Sequence, residues 1–273
     1  MLRSSVSASE PLVSVTEGGI RLGPTLTRRT ALFGAAAALS ACSPQPDLSP
    51  GEHGRIARIT DGDVLGLDTG LKVRLAEIEA PAPGYDGRED QPFAREARAQ
   101  LVSTAMGRSA ALFYGGLQRD SYGRAIAHVI ASDETGADVW LNGYLARQGA
   151  ARIRTYPDNA RRARKLLAFE AEARAAKRGL WSLDHWRIRR PDDLQSPPNF
   201  LILEARCLAS EGEGAETLAH ITLGGARLTG LAKLGHPDIQ LSSGVTLRLR
   251  GRLDTREPES KLRLTHWAQI EVV

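Results

Sequence analysis

Cysteine is scarce in this chain, with two among 273 residues. Two thiols exclude a disulfide-built scaffold and a cysteine-rich zinc site. Aromatic residues make up only 5%, too few for a broad stacking surface. No apolar run reaches the roughly 18–20 residues that a membrane-spanning helix needs. The six histidines, at positions 53, 128, 185, 220, 236 and 266, are far apart and show no metal-ligand spacing. A large excess of one charge is missing too. The net charge of +4 is a mild basic bias, compatible with an anionic partner. What is present is an ordinary folded composition, 42% hydrophobic and 25% charged. The length suits one large domain or two small ones.

The first 42 residues read as an address. Residues 31–41 are apolar but too short to span a membrane, as in a signal h-region. Arg28 and Arg29 stand just before them, similar to a twin-arginine export signal. Ala31 departs from the phenylalanine usual in that pattern, so the general secretory route stays open. Leu39-Ser40-Ala41-Cys42 looks like a bacterial lipobox, which makes Cys42 the expected lipidation site. Residues 43–53, with three prolines, read as an extended tether. The expected location is therefore the bacterial cell envelope, on the periplasmic or outer-membrane face, with the membrane reached through an N-terminal lipid anchor.

Residues 54–183 read as a β-rich α+β domain. Residues 55–60 alternate with a strand period and end at the Asp61-Gly62 turn. Residues 63–67 and 71–78 continue a three-stranded meander, and Pro81 and Pro83 stop it. Residues 91–106 carry apolar positions at helical spacing. Two further strands are expected at 110–114 and 124–131, and helices at 139–148 and 159–177, with Gly179 as the cap of the last one. Five strands with about three helices predict an OB-type barrel.

Within this segment several motifs follow one another in order. They are Ile59-Thr60-Asp61-Gly62-Asp63, Val73-Arg74-Leu75-Ala76-Glu77-Ile78-Glu79-Ala80-Pro81, Arg119-Asp120-Ser121-Tyr122-Gly123-Arg124, Leu141-Asn142-Gly143-Tyr144-Leu145-Ala146-Arg147-Gln148-Gly149 and Gly179-Leu180-Trp181-Ser182. The series resembles the staphylococcal-nuclease-like, or thermonuclease, family. The resemblance implies Ca²⁺-dependent hydrolysis of DNA or RNA phosphodiester bonds by an endonuclease. It implies Asp63 and Glu79 as metal-binding carboxylates, with Ala80 offering a backbone carbonyl. It implies Arg74 and Arg124 as the catalytic arginines. A guanidinium suits that role because its planar fork holds two phosphate oxygens and stays charged.

Three positions depart from the family pattern. Glu79 stands where the family has Asp, and Ala80 where it has Thr. Ala82 falls where the family has the glutamate read as general base. Losing a general base costs about 10²–10⁴-fold in rate. Asp86, Glu89 and Asp90 in the following loop are the candidate substitutes, against the plainer reading that they solvate the loop. Glu77 is a further candidate, although strand parity sets Glu77 and Glu79 on the face opposite Arg74. Tyr122, Arg161 and Arg162 are candidate nucleic-acid contacts.

Residues 184–198 read as a linker and 199–273 as a second, smaller β-barrel-like domain, OB-like in its short strands and turns. Its strands are expected at 201–205, 217–223, 245–253, 262–264 and 270–272. Arg248, Arg250 and Arg252 share one strand face, where they either meet an anion or simply form the polar side of a half-exposed sheet. Cys207 is expected in the core. The basic bias falls on residues 54–195, at +4, while 196–273 carry no net charge. The sequence thus predicts a lipid-anchored, monomeric, thermonuclease-like phosphodiesterase without a small-molecule cofactor. The alternative is a degenerate nuclease fold that binds nucleic acid or another anionic envelope partner without turnover.

Overall fold

The structure, a computed structural model, describes residues 47–194, 200–211, 218–223, 228–233, 242–254 and 261–273. The signal segment, Cys42 and residues 195–198 of the expected linker lie outside these. Among the described residues no helix is long and apolar enough to cross a membrane.

The first sheet contains β1 (Ser49–Asp61), β2 (Val64–Leu67), β3 (Lys72–Leu75), β5 (Ser109–Tyr114), β6 (Ala125–Ser132) and β7 (Asp138–Trp140), while β4 (Ile78–Glu79) pairs separately with β8 (Arg152–Ile153). The helices are α1 (Ala94–Ala105), α2 (Leu141–Gln148) and α3 (Ala163–Ala175). β1, β2 and β3 form an antiparallel meander. β3 then pairs in parallel with β6, and β6 returns through β5 to β1. Five strands therefore close a ring, compatible with an OB-type barrel. Alternation fills it: Val73 and Leu75 point inward with Ile56, Ile59 and Leu65, and Lys72 and Arg74 point away. β6 is buried along nearly its whole length, because the barrel covers one face and α2 the other. Asn142 ties these layers. Its amide donates to the carbonyls of Ala76 and Ala127, and its oxygen accepts the Val129 N–H.

Several expectations change. The tether ends earlier than 53: Leu48 is buried, and Ser49–His53 already belong to β1, where they pair with β5. The expected strand at 71–78 breaks at residues 76–77. Glu77 takes a left-handed φ of 62°, and the chain leaves the barrel to form β4. The expected helix at 139–148 begins as β7, because Val139 and Trp140 are needed as ladder partners of Ala131 and Ile130. Gly179 does not cap α3, which stops at Ala175. It opens a 3-10 turn whose φ of 56° lets it lie against Gly149. Residues of the expected linker form two further 3-10 turns, Asp184–Trp186 and Pro191–Asp193, and Trp186 is buried.

The C-terminal strands are β9 (Phe200–Glu211), β10 (Leu218–Leu223), β11 (Leu228–Lys233), β12 (Thr246–Asp254), β13 (Lys261–Arg263) and β14 (Ile270–Val272). β11 is an addition to the sequence reading. It pairs in parallel with β13, and β13 returns through β12 to β9, so the pairing circuit of the first sheet recurs. Leu203, Leu247, Leu249 and Cys207 fill its core, which places Cys207 where the sequence put it. Two of the three arginines on the β12 face are committed to carboxylates. Arg250 is 1% exposed and lies 2.6 Å from Glu170 on α3 and 2.5 Å from Glu271, and Arg248 lies 2.9 Å from Glu204.

Candidate active site

The site starts from the β1–β2 turn. Gly62 is required there, since a Cβ would lie 2.7 Å from the Ala80 Cβ and 2.9 Å from that of Ala97. That close approach presses Asp63 against the start of the loop after β4. Asp63 is buried, and its Oδ2 accepts the Ala80 N–H at 3.0 Å and an Arg74 Nη1 bond at 2.7 Å. The β2–β3 register supports this pair, because Val64 lies opposite Arg74. Burial pushes the Asp63 carboxyl up, against the pull of Arg74 and of the Ala80 N–H. Burial also opposes the Arg74 charge, but Asp63 outweighs it and holds that guanidinium above its ordinary value.

Glu79 faces another way. Its Oε2 accepts from Arg152 Nη2 at 2.6 Å and Nε at 2.9 Å, and its Oε1 accepts from Arg154. Burial opposes its ionisation, yet the two guanidiniums prevail and hold its carboxyl below the ordinary range. The break at Glu77 is what turns it. β4 pairs with β8, which sets Glu79 opposite Arg152. The turn therefore comes at Glu77, ahead of Pro81. Arg152 and Arg154 are the residues that sequence reasoning missed. Their i, i+2 spacing just after Gly149 was the available signal of a short strand with two arginines on one face.

Arg124 follows a turn built by Asp120, whose Oδ1 accepts the N–H groups of Tyr122 and Arg124, while its Oδ2 accepts from Arg124 Nε at 2.6 Å. Burial opposes the Asp120 charge, but these donors hold its carboxyl below the ordinary range. The Arg124 guanidinium lies 5.4 Å from the Tyr122 ring, which is 83% exposed. Arg74, Arg124, Tyr122, Arg154 and Tyr156 line one cavity of about 330 Å³. The two arginines and Tyr122 are therefore brought together as the motif series implied.

Of the expected base substitutes Glu77 lines this cavity, and the loop acids Asp86, Glu89 and Asp90 do not. Asp90 accepts the Gly84 N–H and pairs with Arg95, and Asp86 and Glu89 are exposed in the same loop. Ala82 is clipped to Gln91 by two hydrogen bonds. Glu77 is buried, 3.0 Å from His128 Nε2, and accepts the Arg162 N–H at the start of α3, where negative charge suits the helix. Arg162 is largely buried through that contact, and Arg161 donates to the Gly115 carbonyl beside a separate opening. Neither reaches the Arg74–Arg124 cavity.

The Ca²⁺ cradle implied by the resemblance does not match this donor set. Asp63 is neutralised by Arg74, Glu79 by Arg152 and Arg154, and the Ala80 N–H points its hydrogen bond at Asp63. Among the described residues no group of three or more His, Cys, Asp or Glu is placed to hold a metal ion.

Comparison with known proteins agrees with the fold. The family model described as Staphylococcal nuclease homologue matches residues 72–183. An uncharacterized endonuclease of Escherichia coli O157:H7 is 33% identical over 144 residues, covering 50% of this chain and 82% of that protein. The thermonuclease of Staphylococcus intermedius is 29% identical over 133 residues, 48% of this chain and 75% of the relative. That of Staphylococcus hyicus is 25% identical over 131 residues, 47% and 75% respectively. With motif order, closed ring and paired arginines all in place, the chain belongs to the staphylococcal nuclease homologue family.

Proposed function

We propose that this chain is a thermonuclease-like endonuclease of low turnover, hydrolysing phosphodiester bonds of DNA or RNA. The observation that carries the reading is the cavity that Arg74 and Arg124 line together. A phosphodiester gains negative charge on its phosphoryl oxygens as it is attacked, and two fixed guanidiniums stabilise that charge. Asp63 and Asp120 orient the pair through charge-assisted hydrogen bonds of 2.7 and 2.6 Å. Among the described residues Arg124 pairs with Asp120 through Nε, and the exposed Tyr122 ring beside it offers a face for a base. What is reduced is base catalysis: Ala82 supplies no carboxylate, the Glu77 carboxylate on the cavity wall is engaged with His128 and the Arg162 N–H, and Asp120 accepts three hydrogen bonds that, despite its burial, hold it below the ordinary range. Ca²⁺ dependence follows from the resemblance alone, and no step is routed through an ion. The test is cleavage of single- and double-stranded DNA by the full chain, with added Ca²⁺ and with chelator. Cleavage above that of an Arg74→Ala/Arg124→Ala variant in either condition supports the enzyme.

A second reading is favoured by the same missing base: a degenerate member that binds nucleic acid without turnover. It holds if the native chain binds DNA but cleaves no faster than the double variant. For location, we propose lipid attachment at Cys42 in the cell envelope. Cys42→Ala should then release the protein from membranes, and continued membrane association contradicts the anchor. The C-terminal ring is proposed as an OB-like module attached to the nuclease barrel.

A further inference from the structure

A second group of arginines lies beside the Arg74–Arg124 cavity, with which it shares Arg154. It surrounds a second cavity of about 430 Å³, where β4 and β8 meet the 3-10 turns after α3 and the strands β9 and β12. This volume falls within the range of about 300–1,000 Å³ that holds small ligands. Among the described residues five arginines line it, Arg152, Arg154, Arg187, Arg189 and Arg252, against one carboxylate, Glu79.

Three of the five have an internal explanation. Arg152 and Arg154 hold Glu79 and lie against the Phe200 ring, at 4.7 and 4.9 Å. Arg187 pairs with Asp184 at 2.6 Å and Asp193 at 3.2 Å. Arg189 and Arg252 are different. Neither has an ion-pair partner or a ring contact among the described residues, and the one side-chain bond of Arg189 is a 3.5 Å contact with the His185 carbonyl. On β12 the contrast is direct. Arg248 has Glu204 and Arg250 has Glu170 and Glu271, while Arg252 lines the cavity with no acid paired to it among the described residues and has Arg263 as its cross-strand neighbour. His185, also on the wall, has its pKa pushed down by burial and then by Arg189 and Arg152, consistent with a positive field.

We infer that this cavity is a phosphate-binding site, distinct from the Arg74–Arg124 cavity, in which Arg189 and Arg252 hold the phosphate group of a nucleic-acid strand. Two guanidiniums from separate segments that line one concave wall, neither in an ion pair among the described residues, match a phosphate anion in charge and hydrogen-bonding capacity. The nucleotide identity of the ligand rests on the nuclease reading, whereas the phosphate chemistry does not.

The test uses the full chain and the fluorescence of the lining Trp181 and Trp186, with calorimetry as a second readout. Probes are inorganic phosphate and a short single-stranded oligonucleotide with and without a 5′-phosphate. In Arg189→Gln/Arg252→Gln, affinity for the oligonucleotide should fall at least about tenfold. The slope of log K against log salt should fall by about 0.7 per lost contact. Arg74→Ala/Arg124→Ala should keep the fluorescence response, so that a failed nuclease reading leaves this result intact. A gain from the 5′-phosphate together with competition by inorganic phosphate assigns a terminal phosphate. Equal binding of both oligonucleotides, lost in the variant, assigns an internal phosphodiester. An Arg189→Gln/Arg252→Gln protein with native melting behaviour, native affinity and native salt slope overturns the site. If the pair of substitutions unfolds the chain, the exposed Arg252→Gln alone is read by the same criteria.

Discussion

At the level of single residues, the unusual feature is how many catalytic-type carboxylates are committed to arginine. Glu79 is the clearest case, because its two oxygens are shared by two guanidiniums. Its lowered pKa sets the sign of a pH effect. A carboxyl that ionises more readily in the folded state adds stability that is complete above its unfolded pKa, ordinarily about 4.3, and is lost as pH falls through the lower folded value. Glu79→Gln should therefore cost about 2–3 kcal/mol at pH 7. The gap between variant and native should close below about pH 4, as read from urea midpoints across pH. Ala82→Glu addresses the missing base: if that is the main lesion, the cleavage rate should rise by about 10²-fold or more. An unchanged rate would locate the defect elsewhere. Arg74, Arg124 and Asp63 were legible in the sequence because short motifs carry them. The fate of Glu79 was not, because it depends on a left-handed residue, Glu77, that neither composition nor periodicity marks.

Among the elements, close backbone approaches decide more than helix or strand preference. Gly149 ends α2 with a φ of 68°, and a Cβ there would lie 2.2 Å from the Arg178 carbonyl oxygen. The Leu180 N–H donates to the Gly149 carbonyl at 2.9 Å, so the end of α2 and the turn after α3 are one contact. Gly149→Ala should destabilise by about 2 kcal/mol or more, from the positive φ and the backbone clash together. Denaturant unfolding checks this, and a loss below about 0.5 kcal/mol would show that the junction can shift. The hairpins and α1 were readable because period-2 and period-3.6 patterns are local. β7 was hidden because three residues run straight into α2, and the role of Gly179 was hidden because its partner, Gly149, lies 30 residues away.

Across the whole molecule, the same pairing circuit occurs twice, and a buried ion network joins the two sheets. Glu170 on α3 accepts the Ile153 N–H at 2.8 Å and lies 2.6 Å from Arg250 and 3.2 Å from Arg174. Arg250 is held charged by Glu170 and Glu271 against the cost of its burial. The sequence showed Arg248, Arg250 and Arg252 on one face, but not that α3 covers the middle one. Arg250→Met would leave Glu271 without this guanidinium and buried Glu170 with Arg174 alone, and should cost about 3–5 kcal/mol. It should also speed limited proteolysis between residues 184 and 200. A variant as stable as the native chain would show that the network adds nothing to the junction. The account as a whole stands on the two arginines of the first barrel. Its most direct test is the single-turnover rate of DNA cleavage by the native full chain and by Arg74→Ala/Arg124→Ala, measured side by side with and without Ca²⁺. The account predicts slow native cleavage that falls at least about 10²-fold in the double variant. Equal rates for the two proteins would contradict it.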